Sequence, residues 1–375
     1  MKDLYKDLRP VIVVGVPQPE AIEATLLMIT DGFPVHLCSS FPASSSSITD
    51  DDRSMSPAKG AAVQSELPLP GASCGLEFEP HHAFTIGAYV QLSTSPKTIY
   101  ALTVPLDLGL NHSKIKAVKN ATVTQPSPAD RDNLYEQENE TFKEILRRDI
   151  HQRDSLKVRR KKDEGTFEFA QYFASSRDLV ADDWQNVYLG KIFDCETKRY
   201  LTVQREKEAR PSHEWAILKI TRKTAVDTIT DIRKRNSKPW FPKFGGSKTL
   251  ETQPLSPSLI VSKRGRSTGC TSGIVNGVKS IYRLPRDGHG IRRFDYAVLG
   301  FNNEPFGKCG DAGAIVYAHS PDNIDVLGNP KGLGKPSGII LGASVGGFAT
   351  FVQDIDTVIS GVKKAGHGDL NLFHN

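Results

Sequence analysis

Lys308-Cys309-Gly310-Asp311-Ala312-Gly313-Ala314-Ile315-Val316-Tyr317 is the stretch on which the reading of this chain turns. Two glycines frame an aspartate and an alanine, and small and apolar residues follow. Gly-Asp-x-Gly marks a turn, and Ala314–Tyr317 reads as the strand that leaves it. Such a tetrapeptide is common by chance, so its neighbours decide its meaning. Cys309 could act as a nucleophile only if a base or cation lowered its pKa. Lys308 is the one cation beside it in sequence, and a buried structural thiol is the simpler reading.

Strand patterns extend to both sides. Leu259–Lys263, Gly269–Val275 and Ala297–Gly300 lie upstream, and Gly338–Ala343 and Ala349–Val352 downstream. Nearer the N-terminus, Thr85–Leu92 and Thr98–Val104 are rich in β-branched and aromatic residues and form a predicted hairpin around residues 93–97. Val187–Ile192, Tyr200–Gln204 and Trp215–Ile220 continue the series. Many short strands with turn signals between them predict an all-β sandwich or barrel. Helical spacing occurs in two other places. Residues 128–165 carry Leu134, Phe142, Ile145, Leu146 and Ile150 among charges and end in Arg159-Arg160-Lys161-Lys162, which predicts an exposed, solvated helix. From Asp354 to Lys364, Ile355, Val358, Ile359 and Val362 fall on one stripe.

The first 38 residues predict an appended βα element: a strand over Pro10–Val16, then Ile22, Ala24, Leu26, Leu27 and Ile29 at helical spacing. Residues 39–73 are rich in Ser, Pro and Asp and read as a linker.

Composition narrows the function. Apolar residues make up 38%, enough for a core, and the 31 glycines and 23 prolines favour turns and short strands. The net charge is +5, too weak a bias to argue for nucleic acid, and the basic stretches at 159–162 and 232–248 do not change that. The five cysteines show no CxxC spacing, so neither a zinc site nor a redox dithiol is expected. His81-His82 with Glu77 and Glu79 reads as a surface turn rather than a metal site. Gly342, Gly346 and Gly347 do not make a phosphate loop, and no cofactor is expected. The apolar run Val11–Val16 is too short for a signal core or membrane span. An intracellular, cytoplasmic protein without membrane contact is expected, and the sequons at Asn111, Asn120 and Asn139 are then chance matches.

Three regions together resemble the chymotrypsin/trypsin-like serine proteases, in that family's order. Gly310-Asp311-Ala312-Gly313 resembles its Gly-Asp-Ser-Gly signature, with alanine in the nucleophile's place. Ser267–Val275 (STGCTSGIV) resembles the strand before it, and Gly338–Ser344 (GIILGAS) the strand lining the specificity pocket, with Gly342, Ala343 and Ser344 as its wall. Tyr100–Leu106 resembles the histidine region but puts Leu106 at the histidine. Glu214-Trp215-Ala216-Ile217-Leu218 resembles the aspartate region, with Glu214 as the acid. The resemblance covers roughly residues 74–352. It implies a first barrel over 74–235 with an insertion at about 113–210, a second over 255–352, and a closing helix and tail over 353–375. The implied fold is mainly β: a trypsin-like double β-barrel.

The chemistry the resemblance implies is missing its parts. Acyl transfer needs a hydroxyl, an imidazole to take its proton and a carboxylate to orient the imidazole. Ala312, Leu106 and Glu214 supply only the last. An oxyanion-hole-like nest of backbone N–H groups around Gly310, Asp311 and Ala312 needs no side chain and could persist. The expectation is a catalytically inactive homologue that binds peptides or proteins through a retained cleft. The alternative is an active serine endopeptidase whose native residue 312 is Ser and whose base is His112; His213 is a second substitute base.

Overall fold

The computed structural model of the chain describes residues 12–15, 35–38, 42–43, 70–78, 83–104, 119–133, 188–197, 214–222, 251–284, 291–301, 304–320, 334–344 and 349–372. Near the N-terminus β1 (Ile12–Gly15) pairs in parallel with β2 (Val35–Cys38), and β3 is the short strand Pro42–Ala43. The helical pattern at 22–29 lies outside the described residues.

The first large sheet contains β4 (Ser73–Leu76), β5 (Phe84–Thr85), β6 (Ala88–Leu92), β7 (Ser95–Thr103), β8 (Thr122–Thr124), β9 (Tyr188–Thr197) and β10 (Glu214–Ile220). It runs β6-β7-β10-β9-β8-β4-β5. Its ends approach each other at Ile86. Gly71 N–H donates to Ile86 O at 2.7 Å, Ile86 N–H to Ala72 O at 2.9 Å, and Gly87 N–H to Leu102 O at 2.9 Å. Alternation builds the walls, because successive side chains of a strand leave opposite faces. In β7 and β10, Ile99, Ala101, Leu218 and Ile220 enter the barrel's own core, while Tyr100, Leu102, Trp215 and Ile217 enter a second cluster shared with the rest of the molecule. Both faces are covered, so these strands read as continuous apolar runs.

The second barrel closes completely. β11 (Ile260–Gly265), β12 (Gly269–Leu284), β13 (Ile291–Gly300), β14 (Ile315–His319), β15 (Lys335–Ser344) and β16 (Thr350–Asp354) run β14-β11-β12-β13-β16-β15, and β14 pairs again with β15. Val261, Val275, Val298, Phe306, Val316, Ile340 and Val352 fill it. The fold is therefore the trypsin-like double β-barrel.

Helix α1 (Ile355–Val362) packs across the junction of the barrels. Its N-cap Asp354 accepts from Asp356 N–H at 2.9 Å, satisfying an otherwise orphaned helix donor. Ile355, Val358 and Val362 are buried with Trp215, Ile315 and Ile339, and Ile359 packs at the margin. A π-helical turn, Lys363–His367, carries the chain to β17 (Leu370–Leu372), which joins the first barrel beside β6. Among the described residues no helix is long and apolar enough to cross a membrane.

Several expectations change. Residues 113–210 are not wholly an insertion, since β8 and β9 both lie inside that range and pair within the first barrel. The β6–β7 hairpin turns at residues 93–94 rather than over 93–97. β12 and β13 extend well beyond the predicted Gly269–Val275 and Ala297–Gly300. Of the expected exposed helix over 128–165, residues 128–133 are described and helical, and Asp130 there is 1% exposed. It turns inward because a buried arginine awaits it. Tyr200–Gln204 and the basic stretch at 232–248 lie outside the described residues.

Candidate functional site

The turn at Gly310–Gly313 is held from four directions. Inside it, Asp311 N–H donates to Lys308 O at 3.0 Å and Ala314 N–H to Asp311 O at 3.1 Å. From the second barrel, Gly313 N–H donates to Ile340 O at 2.8 Å. From the first, Thr85 N–H donates to Ala312 O and Thr85 Oγ1 to Gly310 O, both at 2.8 Å. The fourth hold is the β11–β12 connection at residues 266–268, through Asp311. Gly310 and Gly313 sit at φ +95° and +94°. That left-handed backbone favours glycine, and a Cβ on Gly313 would stand 2.2 Å from Thr103 Oγ1.

Asp311 is the pin of the turn. One carboxylate oxygen accepts from Lys263 Nζ at 2.9 Å, Thr268 Oγ1 at 2.6 Å and Lys308 N–H at 3.1 Å; the other accepts from the amides of Ser267 at 2.7 Å and Thr268 at 3.3 Å. Lys263 and Asp311 side chains are both 0% exposed. Burial pushes the Asp311 carboxyl up, but the Lys263 ammonium and the hydrogen bonds outweigh it, so its pKa lies below the ordinary carboxylate value. A second buried pair stands behind the first. Arg266 Nε donates to Asp130 Oδ2 at 2.5 Å, and its Nη2 also reaches Asp130. Ser73 and Ser127 hydroxyls donate to the same carboxylate, the latter at 2.9 Å. Arg266 N–H donates to Thr85 Oγ1 at 3.2 Å, and Ser267 Oγ to Cys309 O at 2.6 Å. Two ion pairs thus tie the turn to both barrels.

The structure brings parts of the three sequence regions together. Thr103, at the end of the histidine-region strand, donates to Thr85 O at 2.8 Å and stands against Gly313. The same Thr103 pairs with Ala216, so Glu214 lies at the sheet end where β7 leaves. Glu214 is half-buried, and its N–H donates to Gln353 Oε1 at 3.1 Å. Gly342 and Ala343 are buried on β15, whose last residue is Ser344. Leu106, His112 and His213 lie outside the described residues. Ala312 is 3% exposed and packs into the first barrel's apolar cluster. The amides of Gly310 and Ala312 donate to no acceptor among the described residues. Cys309 is half-buried rather than buried, and Cys74, Cys195, Cys270 and Cys309 are free thiols. Among the described residues no cluster could hold a metal ion.

Sequence reasoning missed Lys263, Thr268, Arg266, Asp130 and Thr85. They lie far from the turn along the chain, and nothing in their spacing signals the pairing.

No protein-family model matches the chain, and no curated protein matches it. Solved structures that resemble it include proteases. Thermobifida fusca protease A is 12% identical, with the match covering 82% of this chain and 98% of that one at a TM-score of 0.36. A glutamic-acid-specific serine protease is 11% identical over 81% and 99%, and Nocardiopsis protease 10% over 81% and 97%, both at TM-score 0.36. The fold assignment rests on the two barrels themselves.

Proposed function

We propose that this protein is a non-cutting homologue of the trypsin-like serine proteases that binds a protein or peptide segment in the groove between its barrels. The observation that carries the reading is Ala312. The turn around it keeps its pinned aspartate and both left-handed glycines, while the position that must supply an attacking oxygen bears a methyl group. Leu106 could take no proton, and Glu214 would have no imidazole to orient. Restoring one member of such a coupled unit restores little rate.

The amides of Gly310 and Ala312 support a binding role. Buried N–H groups are costly without an acceptor, and a ligand carbonyl or carboxylate would satisfy both. Neither a cofactor nor a metal is needed for such binding. The expected partner is protein or peptide rather than nucleic acid or membrane, in an intracellular setting.

A displayed random-peptide library tests this. Enriched peptides should bind with Kd below about 1 mM, be recovered intact, and lose about tenfold or more in affinity to Gly310→Val. Failure to enrich any peptide would overturn the binding role, and recovery of cleaved peptides would overturn the non-cutting one.

A further inference from the structure

The pairing of Pro42–Ala43 with β15 places a piece of this chain's own N-terminal region beside the Ala312 turn. One edge of β15 is taken by β16, from Gly338 to Ala343. The opposite edge is served in succession. β14 pairs with Lys335, Pro336, Gly338 and Ile339. Then the turn takes over, with Gly313 N–H donating to Ile340 O at 2.8 Å and Ile340 N–H to Ala314 O at 2.9 Å. Beyond it, Ala343 pairs antiparallel with Ala43 and Ser344 with Pro42. The sheet order β16-β15-β3 puts Pro42–Ala43 on the side away from β16, which is the edge the turn occupies.

We infer that Pro42–Ala43 is a displaceable internal ligand that occupies, in cis, the β15 edge where an extended peptide partner adds as a strand. The inference rests on the peptide-binding reading above. Among the described residues, Pro42–Ala43 alone pairs with this edge beyond Ile340, and such an edge is a template for another strand. The occupant suits displacement. β3 is two residues long, and Pro42 has no N–H to give the ladder. It also comes from a Ser-, Pro- and Asp-rich stretch that offers little apolar surface to anchor it. A competing peptide needs only one more backbone donor than Pro42–Ala43 to pair better. A tethered occupant scales down the apparent affinity of every partner in trans to the fraction of time the edge stands free.

The test is amide hydrogen exchange over residues 341–344 in the whole chain, in Ala43→Pro, and in Phe41→Gly/Pro42→Ser/Ala43→Gly. Thermal melts of all three confirm that both barrels remain folded. Ala43→Pro removes the only backbone donor of β3 and preserves length. The expected result is about tenfold faster exchange at 341–344 in both variants, reversed by adding a synthetic peptide of residues 39–47. The same labelled peptide should bind both variants at least about tenfold more tightly than the unaltered chain. Unchanged exchange in two folded variants would overturn the inference and leave the non-cutting, peptide-binding reading standing. Faster exchange that the peptide at about 1 mM fails to reverse would overturn the competition between cis and trans occupants.

Discussion

At the residue scale, the Lys263–Asp311 pair decides whether the Ala312 turn exists. Taking one member of a buried pair away leaves the other charge without compensation, which costs about 3–5 kcal/mol. Lys263→Met should therefore lower stability by about that much in denaturant melts, while Lys263→Met/Asp311→Leu should recover part of the loss. Full additivity of the single changes would show that the pair is not coupled. The folded Asp311 pKa lies below its unfolded value. Its contribution is therefore present above the ordinary carboxylate range and is lost as pH falls through the folded pKa. Acid melts of Asp311→Asn should lack that loss. Gly313→Ala forces a side chain into a left-handed backbone and to within 2.5 Å of Thr85 O, so a loss of about 1–3 kcal/mol is expected. The Gly-Asp-x-Gly turn was legible in the sequence because glycine spacing is a local signal. The lysine that pins it was not, because a cation on the next strand over has no local signature.

At the element scale, β14 and β11 share a buried polar pair. His319 Nε2 lies 2.6 Å from Ser262 Oγ, its Nδ1 finds no partner among the described residues, and burial lowers its pKa from 6.5. The unfolded chain takes up that proton near pH 6.5 while the folded one resists it. Stability is unaffected above that pH and erodes as pH falls below it. His319→Gln should flatten the fall in melting temperature below about pH 6.5, and an unchanged slope would remove His319 from the acid response. In the same barrel, Asp354 caps α1 and also accepts from Leu255 N–H at 3.1 Å, so Asp354→Ala should cost about 1–2 kcal/mol by thermal melt. The helix stripe and the long apolar strands were readable because each repeats a period over several residues. β8 was not, because Thr122-Val123-Thr124 is too short to show a period and draws its place from β4 and β9.

At the scale of the whole molecule, the order of the three motif regions foretold two barrels. Their bounds were less visible: β9 showed in the sequence as Val187–Ile192, but the stretch before it carries its own helical periodicity, which hides β8 and makes 113–210 read as an insertion. The inward turn of Asp130 was equally hidden, because a charged helix looks solvated until Arg266 is brought to it by the fold. The chain is proposed to keep the frame of a protease without its chemistry. The most direct measurement is labelling by a fluorophosphonate serine-hydrolase probe, applied to the chain as it stands and to Ala312→Ser. The proposed reading predicts no label on either, because with Leu106 at the histidine position a serine at 312 would lack an imidazole to take its proton. Label on Ala312→Ser alone would contradict the claim, since it would show that a working base already stands beside the turn.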